Sequence, residues 1–257
     1  MSKVRAKKGL GQHFLTDKNI ARKIVGSLSD AKFSSLIEIG PGTGILTGLI
    51  LAKDYPDFHA IELDRESVGY LISQYPDHQD KFVFADFLKY RLEQHPAPIA
   101  LIGNLPYFIS SQIFFRVLEY RDRVDQMVFM IQKEVAERIA APPGNKTYGI
   151  LSVLLQAYYS IEYLFTVNEH CFSPVPKVKS AVIRLILNSR KELGCNHTAF
   201  HKVVKASFNQ RRKTIRNSLR SIFINLPDES ILLTKRPEQL TVDQFIELTR
   251  SIEMLNP

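Results

Sequence analysis

The stretch Leu36-Ile-Glu-Ile-Gly-Pro-Gly-Thr-Gly44 decides the fold. A β-branched apolar run leads into glycines at 40, 42 and 44, and an amphipathic pattern resumes near Ile45. Glycine at these positions permits a tight turn and lets a ligand approach the backbone with no Cβ in the way. A glycine loop after a strand fits NAD enzymes, FAD enzymes and methyltransferases alike. A plain strand-to-helix turn has little need of three glycines.

Working outward, short apolar runs at 35–39, 58–63, 82–85, 99–103 and 127–131 read as strands. Helical patterns fill 17–28, 45–52, 65–74, 111–119 and 133–140, with Thr16-Asp17 as a cap for the first and Ser110 or Ser111 for the fourth. Strands alternating with helices imply βαβ units, hence a parallel sheet covered on both faces, in an α/β, Rossmann-like fold. Ala141-Pro-Pro-Gly-Asn145 is a loop by composition, followed by a helix over 150–159 and strands near 163–167 and 180–187. The aperiodic stretch 188–197 suits a linker. Helical patterns at 199–208, 213–222 and 242–253 complete a small all-α domain. The expected division is a cofactor-binding domain over 1–188 and a helical, RNA-binding domain over 189–257.

Composition excludes several classes. No apolar run reaches the length of a membrane span, and the charged start has no apolar stretch of a secretory signal behind it. The two cysteines, Cys171 and Cys195, form no ligand motif and suit free thiols in a reducing cytoplasm. The histidines lack ligand spacing, so no metal is expected. Residues 1–25 carry seven basic side chains (Lys3, Arg5, Lys7, Lys8, Lys18, Arg22, Lys23) against Asp17 alone. Residues 198–220 carry seven more, including Arg211, Arg212, Lys213 and Arg216, with no acid. These segments exceed the net charge of +8, so the rest of the chain is acidic overall. Positive charge gathered in two segments points to a polyanion such as nucleic acid.

The strand ends narrow the choice of cofactor. Glu62, in Ile61-Glu-Leu-Asp64, can accept hydrogen bonds from two ribose hydroxyls, and Asp86 closes Phe82-Val-Phe-Ala-Asp86 within reach of an adenine amino group. Glu38, Glu62 and Asp86 together would repel a pyrophosphate. They suit S-adenosylmethionine, which carries a sulfonium cation and no phosphate.

The fourth strand runs into Ile102-Gly-Asn-Leu-Pro-Tyr107, which resembles the N-P-P-Y-type loops of enzymes that methylate exocyclic amines. An adenine N6 lone pair is delocalised into the ring, and accepting hydrogen bonds from its N–H groups localises density on nitrogen. Asn104 can supply a side-chain carbonyl, and Leu105 or Pro106 a backbone carbonyl. Pro106 stiffens the loop and Tyr107 can stack on the base. Phe172, in Phe172-Ser-Pro-Val-Pro-Lys-Val178, is a candidate for the opposite face of a flipped base.

Together the motifs resemble the ribosomal RNA adenine dimethyltransferase family, most closely its small-subunit (KsgA-type) branch. The resemblance runs over nearly the whole chain. It rests on Gly11-Gln-His-Phe-Leu15, Glu38–Gly44, Ile61–Asp64, Ala85-Asp86, Asn104–Tyr107, Gln132-Lys-Glu-Val135, Tyr148-Gly149, Phe172–Val178 and the basic block Phe208–Leu219. It implies a class I methyltransferase fold and cofactor contacts from His13, Leu15, Gly40, Glu62, Asp86 and Asn104. It also implies transfer of four methyl groups to two adjacent adenosines near the 3′ end of 16S rRNA in the small ribosomal subunit; the enzyme is expected to be monomeric and cytoplasmic. The chain departs from the family at His13 and Phe108, where Asn is usual, so position 13 is expected to contribute backbone only. The rivals are a large-subunit (23S) rRNA methyltransferase of the antibiotic-resistance type, a DNA adenine methyltransferase and a non-catalytic ribosome-assembly factor. The basic block argues against the first. Asn104, where DNA enzymes tend to have Asp, argues against the second, and the retention of Glu62 and Asn104 against the third.

Overall fold

The computed structural model describes residues 4–29, 32–190, 192–227 and 229–256; Lys3 of the basic start and Lys191 of the expected linker lie outside them. Contacts group the chain into two units, residues 1–136 with 162–187 and residues 137–161 with 188–257.

The first unit is built on a twisted sheet. Its strands are β1 (Ser35–Ile39), β2 (Phe58–Glu62), β3 (Phe82–Phe84), β4 (Ile99–Asn104), β5 (Val124–Gln132), β6 (Tyr159–Val167) and β7 (Ser180–Leu187), in the order β3-β2-β1-β4-β5-β7-β6. β1 to β5 pair in parallel, as their alternation with helices requires, whereas β7 runs antiparallel to β5 with Gln132 opposite Ser180. The sheet is therefore mixed rather than wholly parallel. The stretch between β6 and β7 is a loop with no crossover helix, and a parallel return needs one. β1 is buried along its whole length and β5 over most of it, which suits central strands covered on both faces.

Helices α1 (Lys18–Gly26), α2 (Thr47–Leu51), α3 (Arg65–Gln74), α4 (Ser110–Glu119) and α5 (Lys133–Ala140) follow the expected order. Asp17 caps α1 by accepting from the amides of Asn19 and Ile20, and Asp64 caps α3 through the amide of Glu66. The cap expected from Ser110 or Ser111 is absent. Ile109 occupies that position, and Ser110 donates its hydroxyl to the Tyr107 carbonyl instead, at 3.1 Å. A two-residue ladder joins Phe14–Leu15 to Phe172–Ser173, seating the amino-terminal arm on the unit.

The second unit is helical. α6 (Ile150–Gln156), α7 (His197–Asn209), α8 (Ile215–Leu219) and α9 (Val242–Leu255) pack together around Tyr148, Phe200, Val203 and Phe245, with Phe208 ringed between Tyr148 and Phe245. The linear division at 188 and 189 is thus corrected, because residues 137–161 belong with the carboxy-terminal helices. Three short helices have little apolar surface to share, and α6 with Tyr148 completes their core. The Gly144 amide also donates to the Glu238 carbonyl, at 2.6 Å.

Candidate active site

A cleft opens at the carboxyl ends of β1, β2 and β4. It is lined by the amino-terminal arm from Leu10 to Leu15, the glycine loop, Glu38, Glu62, Asp86 and the segment Asn104 to Ile109. This is where an open α/β sheet binds ligands, at the point where strand order reverses. Among the described lining residues there is no lysine or arginine. The cleft therefore has no fixed cation to offer a pyrophosphate, and three carboxyl groups to offer a cation.

The glycine loop is shaped by backbone conformations that side chains resist. Gly40, Gly42 and Gly44 all have positive φ, and a Cβ on Gly42 would meet the Phe14 ring at 2.9 Å. The turn thereby closes under the amino-terminal arm while its amides stay within reach of an acid. Glu62 is 6% exposed; its Oε2 accepts from the Gly42 amide at 3.0 Å and its Oε1 from the Asp64 amide at 2.9 Å. Burial raises the Glu62 carboxyl above its ordinary range, while hydrogen bonds from the amides of Asp64, Gly42 and Leu63 pull the other way. Asp64 is held by Lys7, so the basic arm reaches the acidic strand end through it.

Glu38 is the residue whose state sequence reasoning missed. It lies inside β1, fully buried, accepting the Thr47 hydroxyl at 2.7 Å. Desolvation, aided by the charge of Glu62, pushes its carboxyl up to about 8 despite the Thr47 hydrogen bond. A buried strand position facing another acid was the available signal.

The target-amine side is organised around Asn104. Its Nδ2 donates to the backbone carbonyl of His13 at 3.0 Å, which leaves Oδ1 as the acceptor. The Leu105 amide is tied to Met130 on β5 at 3.0 Å, and the Pro106 carbonyl accepts from Ile109 at 3.3 Å. Leu105 is thus the less engaged of the two candidate backbone acceptors. Tyr107 shares a hydrogen bond of 2.6 Å with Ser180 through its hydroxyl, and the His13 imidazole stacks on its ring at 5.6 Å. Burial raises the phenol above its ordinary pKa, so it stays neutral. His13 also bonds the Pro174 carbonyl through Nδ1 at 2.8 Å, so its side chain braces the loop as well as its backbone.

His13, Leu15, Gly40, Glu62, Asp86, Asn104, Leu105, Pro106 and Tyr107 all line this one cleft. Phe172 does not. It is 3% exposed, opposite Leu15 in the short ladder and part of the apolar cluster under the sheet, where it plugs the core beneath the Pro-rich loop. A Phe ahead of Pro-x-Pro has the same sequence in either role, which is why the sequence misled. The exposed aromatic at the cleft is Phe108, 58% accessible, with its ring against Gly11. In the second unit Arg212 and Lys213 are exposed, whereas Arg211 lies 3.8 Å from Glu238 and donates to the Asn145 carbonyl. The acid-free segment thus meets an acid from elsewhere in the chain.

The sheet order, the antiparallel β7 and the acid-lined cleft define a class I S-adenosylmethionine-dependent methyltransferase. The sequence pattern described as ribosomal RNA adenine dimethylase matches residues 3–253, and the chain belongs to that family. It is 53% identical to ribosomal RNA small subunit methyltransferase A of Parabacteroides distasonis, with 97% of this chain and 94% of that protein covered. It is 51% identical to the protein of that name from Cytophaga hutchinsonii, with 98% and 99% covered. Among solved structures, a dimethyladenosine transferase from Plasmodium falciparum superposes with a TM-score of 0.76 at 22% identity, over 92% of this chain and 96% of that one. The 23S rRNA methyltransferase ErmE superposes with a TM-score of 0.66 at 24% identity, over 93% and 99%. These two likenesses concern the fold.

Proposed function

We propose that this enzyme dimethylates N6 of two adjacent adenosines near the 3′ end of 16S rRNA, as a monomer in the cytoplasm, during assembly of the small ribosomal subunit. The observation that carries the reading is the Asn104 amide, oriented by the His13 carbonyl so that Oδ1 accepts at the floor of an acid-lined cleft. Relatives named for small-subunit rRNA methylation favour this substrate over the 23S alternative.

The residues present fit S-adenosylmethionine. Glu62 would accept from the ribose hydroxyls and Asp86 from an adenine amino group, both as carboxylates lining the cleft, and Glu38, protonated at neutral pH, can ionise as a cation binds beside it. When bound, the cofactor supplies an electrophilic methyl group. Asn104 Oδ1 and the Leu105 carbonyl accept from the two N–H groups of the target amine, localising its lone pair and aiming it. Tyr107, anchored through Ser180, stacks on the flipped base, and Phe108 rather than Phe172 is the second aromatic available at the mouth. The amine loses a proton to water after transfer, so no general base is needed, and rate comes from positioning. Arg212, Lys213 and Arg216, with Arg211 to a lesser degree, contact RNA phosphates.

The test is the pair Tyr107→Ala and Tyr107→Phe. Losing a base-stacking ring costs roughly 1–3 kcal/mol, so Tyr107→Ala should bind S-adenosylmethionine as the parent does yet methylate rRNA about 5- to 150-fold more slowly. Tyr107→Phe forfeits only the Ser180 bond, about 1 kcal/mol, and should keep much of the activity. Equal rates for the parent and Tyr107→Ala would end the stacking role.

A further inference from the structure

At the amino-terminal end of β2, Asp57, His59 and His95 bring three donor atoms within 4.8 Å of one another. Asp57 sits in the turn before the strand, His59 is its second residue and His95 follows a short helical turn over Leu92–Gln94. Glu62 lies three residues beyond His59 on the same strand, roughly 10 Å away at the strand rise. The cluster is therefore separate from the cleft.

Two distances define it. His95 Nδ1 lies 3.0 Å from Asp57 Oδ2, and His59 Nδ1 lies 3.6 Å from Asp57 Oδ1. Ligands about 2.0–2.1 Å from a tetrahedral zinc ion are about 3.3 Å apart, so the observed separations fall on either side of that value. The longer one is not a hydrogen bond. His59 Nδ1 is shut off from solvent and has no hydrogen-bond partner of good geometry among the described residues, an unusual state for a buried ring nitrogen. On the far side of His95, Nε2 lies 2.9 Å from the Tyr90 hydroxyl. With Nδ1 on a metal, Nε2 carries the proton and donates to Tyr90, the outer hydrogen bond that sets tautomer and ring angle in metal-binding histidines.

We propose that Asp57, His59 and His95 form a zinc-class divalent metal site with water completing the shell. Two imidazoles and one carboxylate suit zinc better than magnesium or calcium, which favour all-oxygen shells. The ion joins the turn before β2 to the segment ending at His95 and serves structure rather than methyl transfer. Its ligands come from separate parts of the chain, which is why histidine spacing in the sequence does not reveal it.

The test is Zn2+ titration of the untagged full-length protein by calorimetry, with Co2+ as a spectroscopic probe. One equivalent should bind. The Co2+ form should absorb in the visible region without a thiolate charge-transfer band, which separates this site from Cys171 and Cys195. His59→Ala removes one of the two imidazole ligands, and should lower Zn2+ affinity about 100-fold or more. Asp57→Asn should lower it at least about tenfold, and Tyr90→Phe, which loses only the outer bond, about tenfold. Zn2+ should raise the Tm of the parent and not that of His59→Ala. If His59→Ala does not fold, Asp57→Asn and Tyr90→Phe decide the matter by the same affinities. Absence of Zn2+ binding, or affinity unchanged in the folded variants, overturns the proposal.

Discussion

Replacing Glu38 with glutamine should stabilise the protein at neutral pH while weakening its hold on a cationic cofactor. The carboxyl stands at about 8 in the folded chain against an ordinary 4.5. Between those values the folded chain holds a proton that the unfolded chain has released, so stability declines as pH rises through that window. At about 1.36 kcal/mol per pH unit, the loss at about pH 7.5 is about 4 kcal/mol relative to about pH 4.5. Glutamine cannot ionise, and its carbonyl can still accept from Thr47. The variant should therefore lack this slope, matching the parent near pH 4.5 and exceeding it by about 4 kcal/mol near pH 7.5. Urea unfolding at several pH values across this range reads the difference directly. A cation bound nearby favours the ionised form, so parent affinity for S-adenosylmethionine should rise with pH up to about 8, and Glu38→Gln should rise less, keeping only the contribution of Glu62. Stability curves that run parallel for the two proteins would refute the reasoning.

Three further outcomes are expected. Glu62→Ala should weaken S-adenosylmethionine binding by roughly 1–3 kcal/mol, the scale of hydrogen bonds lost to a charged acceptor; unchanged affinity by calorimetry in a folded variant removes Glu62 from the site. Reversing Arg211, Arg212 and Lys213 to Glu should weaken RNA binding and flatten its salt dependence by roughly 0.7–0.9 per lost phosphate contact, Arg211 contributing least because Glu238 already attends it; unchanged filter-binding slopes would make the segment a solvated face. Gly103→Ala would push a Cβ into the Ile39 carbonyl oxygen beside the glycine loop. It should cost about 1–3 kcal/mol in thermal unfolding and displace Asn104 next to it.

The glycine loop, the acid-ended strands and the Asn104–Tyr107 loop were legible because each pairs a residue type with a position that chemistry demands. Element order was legible for the same reason, since periodicity marks each strand and helix. What escaped the sequence depended on partners distant along the chain. Phe172 reads alike as a stacking ring or a core plug, and only its ladder with Leu15 shows the plug. Residues 137–161 join the helical unit because Tyr148 meets Phe208, some sixty residues on. Glu38 was visible as an acid, but its raised pKa follows from burial no local pattern records. The antiparallel β7 likewise depends on a return without a helix, and alternation further upstream does not foretell it.

The most direct test is to incubate the protein with methyl-labelled S-adenosylmethionine and ribosomal subunits lacking the modification, then map the label. The expected product is N6,N6-dimethyladenosine at two adjacent positions near the 3′ end of 16S rRNA, with none in the large subunit. Label in 23S rRNA, or no transfer to small subunits under conditions where the cofactor binds, would contradict the proposed activity.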